Sequence, residues 1–414
     1  MNNNNNNHID AFGKKRNLSL RGFRGLAFTC LLMAISSLHS QTLGDYLASV
    51  EQNNTTLKAL REQTKAEKLG NKTRLTPSNP EVGFGYLWGS PSGTTDNELS
   101  YSITQAFDFP TAYAHRSQLA NAKNGQVDLA YEQARREIHY EARNTYITWV
   151  YYKKREAQLS ERLQRADALF QAYEKMLNAG ETTRIEYNKT LFNQLALRKE
   201  AEFNSVEIIT FEDELRRLNG NAEPPQLTAD YPIYSQLLDF ETWFSAVKTK
   251  NPELLFATKE IEISRQEEKL RIAENLPKFS AGYYSEQVPG SRLQGLQAGI
   301  SIPLWEGKNT LKQQKAKTFA LQTEQEDKEL QFRNRMKNSY EKVAKSSELL
   351  KEYHKLLDVS ESLALLDKAL QLGQLTLIAY VQELTDYYET IDYVLEKDWE
   401  YNLSVAELMK WEAP

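Results

Sequence analysis

The second half of this 414-residue chain repeats the first, and that limits what it can fold into. Asn54-Thr55-Thr56-Leu57 returns as Asn251-Pro252-Glu253-Leu254, 197 positions later. At the same spacing Pro80 meets Pro277, Gly85-Tyr86 meets Gly282-Tyr283, and Ile103 meets Ile300. The spacing tightens to 194 where Asn144-Thr145-Tyr146 matches Asn338-Ser339-Tyr340, and to 193 where Leu177 and Gly180 match Leu370 and Gly373 and Tyr187 matches Tyr380. A register held with so few gaps over about 165 residues marks a tandem duplication. Residues 41–220 form the first repeat and 239–414 the second. Gly220, Pro224, Pro225 and Pro232 make 221–238 a linker.

Each repeat reads helix, two strands, long helix, tight turn, helix. In the first, a helix is expected from Leu43 to Leu75, stopped by Pro77 and Pro80, and a long one from Thr111 to Asn178. Leu159, Leu163, Ala166, Phe170, Tyr173 and Leu177 form a coiled-coil seam on the long helix. Gly180 ends it, Thr182 or Thr183 caps the return, and that helix runs to Leu218. The second repeat predicts a helix to Asn275, a long helix from Lys308 to Leu372, Gly373, and a helix to Trp411. Its seams are Leu356, Val359, Leu363, Leu366 and Leu370, then Leu377, Val381, Leu384, Tyr388, Ile391 and Leu395. The first long helix spans about 100 Å at 1.5 Å per residue. The two shorter helices of its repeat together match that length. Each repeat can therefore lay two short helices end to end beside one long one, as in a rod or the stave of a tube.

Between the helices lie hairpins over 81–107 and 279–304. Val82, Phe84, Tyr86 and Trp88 alternate with Glu81, Gly83, Gly85 and Leu87, and Leu99, Tyr101 and Ile103 alternate with small polar residues. Phe279, Ala281 and Tyr283, then Leu296, Ala298, Ile300, Ile302 and Leu304, do the same in the second repeat. Such runs, apolar on one face and small or polar on the other, fit transmembrane β-barrel strands. Hairpin loops are expected at Gly89 to Glu98 and Gln287 to Arg292. Four strands cannot close a barrel, and lipid tolerates no open sheet edge, so several chains must share one.

The amino-terminal 40 residues have the layout of a signal peptide. Lys14, Lys15, Arg16, Arg21 and Arg24 precede an apolar stretch from Leu26 to Leu38, and Ser40 suits a cleavage site. Removing them takes the net charge from −5 to −9 and carries off Cys30, the sole cysteine. An acidic exported protein is not a nucleic-acid binder by electrostatics. A mean hydropathy of −0.63 excludes a bundle of membrane helices.

Taken together, these residues resemble the TolC-type outer-membrane efflux proteins. The carriers are the duplication, the Asn251-Pro252-Glu253-Leu254 opening, Asn79-Pro80-Glu81 at the start of the first strand, and the tips Leu177 to Tyr187 and Leu370 to Gly373. Asn79-Pro80-Glu81, Phe109-Pro110 and Arg116 are similar to the metal-efflux, CzcC/CusC-like branch. The resemblance implies a mainly α chain whose four strands contribute to a shared 12-stranded transmembrane β-barrel in a homotrimer. It implies an outer-membrane exit duct with a periplasmic helical domain, served by a periplasmic membrane-fusion (adaptor) protein and an inner-membrane pump of RND or ABC type. Heavy-metal cations are the cargo it suggests; multidrug or type I secretion ducts share the fold. The tips, 178–186 and 371–379, would form the gate and adaptor contact, through Gly180, Thr183, Arg184, Glu186, Gly373 and Thr376. Where the family often has aspartates in the second tip, this chain has Ala379 and Gln382, so Glu186 and Asp386 are the candidate lumen acids. Trp88 on one side, with Phe107, Phe109 and Trp305 on the other, would form the aromatic girdles.

No enzyme, cofactor or resident metal is expected. Past the signal segment only His115, His139 and His354 remain, too far apart to pair at helical spacing, and no phosphate loop or nucleophile elbow occurs. A periplasmic adaptor would show one hairpin with β-rich modules on both flanks, and a coiled-coil scaffold would lack the strands.

Overall fold

The computed structural model describes residues 43–89, 96–234, 239–358 and 362–412. The expected signal segment 1–40 and Val359 lie outside them, as does the side chain of Leu356. The first repeat comprises α1 (Leu43–Asn53), α2 (Thr55–Asn71), β1 (Glu81–Gly89), β2 (Asp96–Phe107), α3 (Pro110–Ala179) and α4 (Arg184–Leu218). The second comprises α5 (Phe240–Lys248), α6 (Pro252–Glu274), β3 (Lys278–Val288), β4 (Ser291–Ser301), α7 (Thr310–Asp358), α8 (Ser362–Gln371) and α9 (Leu377–Met409).

The helix expected over Leu43 to Leu75 is in fact two. Asn54 leaves the helical region (φ −55°, ψ 123°) and its side chain accepts from the Leu57 amide, so it caps a new helix. Asn251 does the same work in the second repeat, accepting from the amides of Glu253 and Leu254, while Pro252 opens α6. The breaks let the short helices stack. Asn54 Nδ2 donates to the Leu218 carbonyl at 2.8 Å, and the Tyr46 hydroxyl to that of Leu215 at 3.1 Å. Thus α1 lies against the last turn of α4, and α2 continues beyond it along α3. At 1.5 Å per residue, the 70 residues of α3 extend about 105 Å.

Both repeats bury the same core. Tyr46, Val50, Leu57, Ile138, Ala142, Trp149, Leu215 and Leu218 form one cluster. Trp243, Val247, Leu254, Phe332, Met336, Val343, Leu408 and Trp411, their counterparts at spacings of 197, 194 and 193, form another. The seam residues Leu159, Leu163 and Ala166 of α3 pack on Leu197 of α4. Nearer the turn, Leu169 and Tyr173 of α3 join Leu363, Leu366, Leu370, Leu377, Val381, Leu384 and Tyr388 in one cluster, so the seams of the two repeats meet.

The four strands form one antiparallel sheet in chain order, β1-β2-β3-β4. The β3–β4 loop is tighter than the sequence pattern suggests. Val288 pairs with Ser291 across Pro289 and Gly290, and Gly290 has the positive φ (83°) that a type II turn requires after proline. β4 ends at Ser301 rather than Leu304, because Pro303 lacks the N–H to extend a ladder.

Candidate functional site

Two places stand out: the sheet and the tips at the far ends of α3 and α7–α8.

The sheet presents its apolar face outward along its whole width. Pairing puts Val82 beside Ile103, Phe84 beside Tyr101, Ile103 beside Tyr283, and Tyr283 beside Leu296. All are exposed, Val82 at 75% and Leu296 at 92%. No element among the described residues covers them. The opposite face, which also carries Leu87, Tyr284 and Glu286, is small over much of its area. Gly83 and Gly85 lie against Ser102 and Ser100, and Gly299 against Ser280, so close that a Cβ on any of these glycines would sit within 2.6 Å of the serine Oγ. Bulk on one face and glycine-serine contact on the other suit a sheet that curls, as closure into a barrel requires. No helix among the described residues is long and apolar enough to cross a membrane.

The expected girdle residues fall at the two ends of this sheet. Trp88, 79% exposed, lies at the end remote from the helices, beside Tyr86. Phe107 pairs in register with Phe279, whose ring is also 6.3 Å from that of Phe109, where the chain enters α3. Trp305 is exposed just after β4.

At the tips, Gly180 and Gly373 both take left-handed φ, 76° and 68°, where a Cβ would be strained. Thr183 and Thr376 cap the returning helices through the amides of Glu186 and Ala379. The first tip has a full capping box: Glu186 Oε2 accepts from the Thr183 amide at 3.0 Å and from the hydroxyls of Thr182 and Thr183. These bonds, the Thr183 amide foremost, hold the Glu186 carboxyl below the usual range. Arg184 opens α4 inside this turn. Asp386 lines a groove of about 550 Å³ between α8 and α9, with Glu383, Leu365 and Leu366. Thus Glu186 and Asp386 occupy different settings, one closing a turn and the other facing a groove.

Between the tips and the mid-height cores, polar ties join the two repeats. Arg162 of α3, 3% exposed, grips both carboxylate oxygens of Asp392 on α9 at 2.8 and 2.7 Å and lies over the Tyr388 ring. One turn on, Arg165 pairs with Asp367 of α8, which also accepts from the Tyr380 hydroxyl at 2.7 Å. Burial, then this carboxylate, raises the Tyr380 phenol to about 12. Burial opposes the Arg165 charge, but bonds to Asp367 and Tyr380 outweigh it and raise its basicity. The sequence reading missed these ties. Their one signal was a cation at 162 in a seam otherwise built of Leu159, Leu163 and Ala166.

Among the described residues no group of three or more His, Cys, Asp or Glu could hold a metal ion. No protein-family description matches the sequence, and no curated protein does. Solved structures do. The chain matches the outer-membrane channel OprN with a TM-score of 0.73 and 13% identity, covering 89% of each chain. It matches the CmeC outer membrane channel of Campylobacter jejuni with a TM-score of 0.69 and 13% identity, covering 99% of this chain and 93% of that one. For CusC, described with its transmembrane channel formation, the TM-score is 0.67 at 13% identity, covering 91% and 95%. At such identity the likeness is one of fold, and at that level it bears out the resemblance read from the sequence. CusC does not stand apart from the others, so the metal-efflux branch gains no separate support.

Proposed function

We propose that this chain is an exported outer-membrane channel, the exit duct of a tripartite efflux system, working as a homotrimer with a 12-stranded barrel. The observation that carries this reading is the sheet, apolar on one face and uncovered there among the described residues, rich in glycine and serine on the other, set at the end of a helix about 100 Å long. A water-exposed face of that kind is unstable in a soluble protein and suited to lipid. Within the chain β1 and β4 are the edges of the sheet, and in lipid they must pair with other copies. A second call for neighbours comes from α4, where Ile185, Phe192, Phe203, Val206 and Ile209 are exposed. In the trimer Trp88 on one side and Phe107, Phe109 and Trp305 on the other form the aromatic girdles.

The tips would close the duct at rest and open on contact with an adaptor that joins them to an inner-membrane pump. The ties from Arg162 and Arg165 to Asp392 and Asp367 make a discrete closed packing for such a contact to shift. Gly180, Thr183, Arg184, Gly373 and Thr376 then form the contact and gate region. Heavy-metal cations remain the finer reading of the cargo, with Glu186 and Asp386 as the acids facing the passage. Single-channel recordings test that part: Glu186→Ala and Asp386→Ala trimers should lose cation selectivity, and wild-type selectivity in both would defeat it.

The test of the main reading is fractionation followed by conductance. The protein should appear in the outer membrane as a heat-modifiable, detergent-dependent trimer that forms channels in a planar bilayer. A soluble periplasmic monomer would overturn it.

A further inference from the structure

Midway along α3, on the side facing the end of α9, a cleft of about 70 Å³ is lined by Arg135, Arg136, His139, Arg143, Lys410 and Glu412. Positions 136, 139 and 143 share one helix face. Most of these groups already have partners. Arg135 holds Glu51 at 2.8 Å and Glu132 at 3.2 Å, and His139 reaches Glu51 at 2.8 Å. Lys410 pairs with Glu137, and Glu412 accepts from the Trp243 indole at 2.7 Å. Arg136 and Arg143 differ. Arg136 gives Nη1 to the Trp411 carbonyl at 3.2 Å, but its buried Nε has no partner. Among the described residues Arg143 makes no hydrogen bond or ion pair. Burial lowers the basicity of both.

Among the described residues no carboxylate reaches either guanidinium within hydrogen-bond distance; Glu132 acts on Arg136 and Glu412 on Arg143 only through space, and burial outweighs both. Half-buried guanidinium groups so placed are costly unless an anion completes them. The cleft has several times the room one water needs, but no room for a drug-sized molecule. Guanidinium forks match the paired oxygens of an oxyanion. We infer that this cleft binds one small oxyanion of the phosphate class, held between Arg136 and Arg143 with Lys410 at its rim. The bound ion ties the last turn of α9 to α3. The inference stands apart from the exit-duct reading, since it concerns the helical body alone.

The test uses the full chain in detergent at low ionic strength, titrated with inorganic phosphate by calorimetry and by thermal unfolding. The expected result is saturable binding of one phosphate per chain, with an unfolding midpoint that rises with phosphate and not with chloride. Arg136→Gln and Arg143→Gln should each weaken binding at least about tenfold. Arg143→Lys, which keeps the charge and loses the fork, guards against simple misfolding and should bind several-fold more weakly with an unchanged circular-dichroism spectrum. Wild-type protein that shows neither heat nor stabilisation at millimolar phosphate overturns the inference. So does full-strength binding by a folded Arg143→Gln variant.

Discussion

The two repeats solve the same packing problem with opposite charges. In the first, Glu51 of α1 pairs with Arg135 of α3; in the second, Lys248 of α5 pairs with Glu329 of α7. Lys248 stands 197 positions after Glu51, and Glu329 stands 194 after Arg135, the spacings at which the neighbouring core residues correspond. The ion pair stands at matching places in the two halves with its signs exchanged. By contrast, the apolar positions around it kept their character: Val50 and Val247, Leu57 and Leu254, Leu215 and Leu408. Geometry decides what a core position must be, whereas a half-exposed pair needs only opposite charges.

If the cores are equivalent, they should fail alike. Ile138→Ala and Phe332→Ala truncate matched positions, both buried, and should cost about 3 and 4 kcal/mol respectively. Chemical denaturation of the detergent-solubilised protein, followed by circular dichroism, measures both. A loss confined to one repeat would show that the second cluster is not a core in its own right.

The junctions should separate the repeats. Asn54 caps α2 and also gives Nδ2 to the Leu218 carbonyl, and Asn219 beside it accepts from Ser49 and Asn53. Asn251 is as deeply buried and caps α6, yet its Nδ2 has no partner. Asn54→Ala should therefore cost about 2 kcal/mol, a cap plus an orphaned carbonyl, and Asn251→Ala about 1 kcal/mol, the cap alone. Equal losses would mean that the Leu218 bond contributes nothing.

The exchanged pair offers a smaller effect with a clear sign. Burial works against the Glu51 charge, but bonds from Arg135 and His139 prevail and hold its carboxyl below the usual range. A lowered carboxyl stabilises the fold fully at neutral pH and loses that contribution as pH falls through its folded value. Glu51→Gln should flatten the acid side of the stability profile. Glu51→Lys with Arg135→Glu, which copies the arrangement of the second repeat, should recover about 1 kcal/mol relative to the sum of the single changes.

Much of this was legible in the sequence because its second half echoes the first and so shows the same pattern twice. The helical turns at Gly180 and Gly373, the strand alternation from Val82 to Trp88, and the seam through Leu159 and Ala166 all follow from local pattern. What escaped was long-range or chemical. The break at Asn54 hid because Thr55-Thr56 lacks the proline that follows Asn251, so the helical periodicity ran on past it. The ties from Arg162 and Arg165 hid because their acids, Asp392 and Asp367, lie more than 200 positions away, on helices whose polar faces carry many other charges. That Arg136 and Arg143 bond to no carboxylate among the described residues depends on where every neighbouring acid points, and no spacing rule encodes that.

The tips are where the repeats diverge most subtly. Thr183 and Thr376 make the same cap, so either alanine change should cost about 1 kcal/mol. Only the first tip has the reciprocal bonds of Glu186; the matching position is Ala379. Glu186→Ala makes the first tip like the second, and should cost about 0.5 kcal/mol on so exposed a turn. The place to see it is not global unfolding but amide exchange, which reads the local opening of one turn. Exchange at Thr183 to Tyr187 should quicken in Glu186→Ala, while that at Thr376 to Tyr380 stays unchanged. Installing the missing acid with Ala379→Glu should slow exchange in the second tip. Should both tips respond to either change, they are coupled, and they open as one unit rather than as two independent turns.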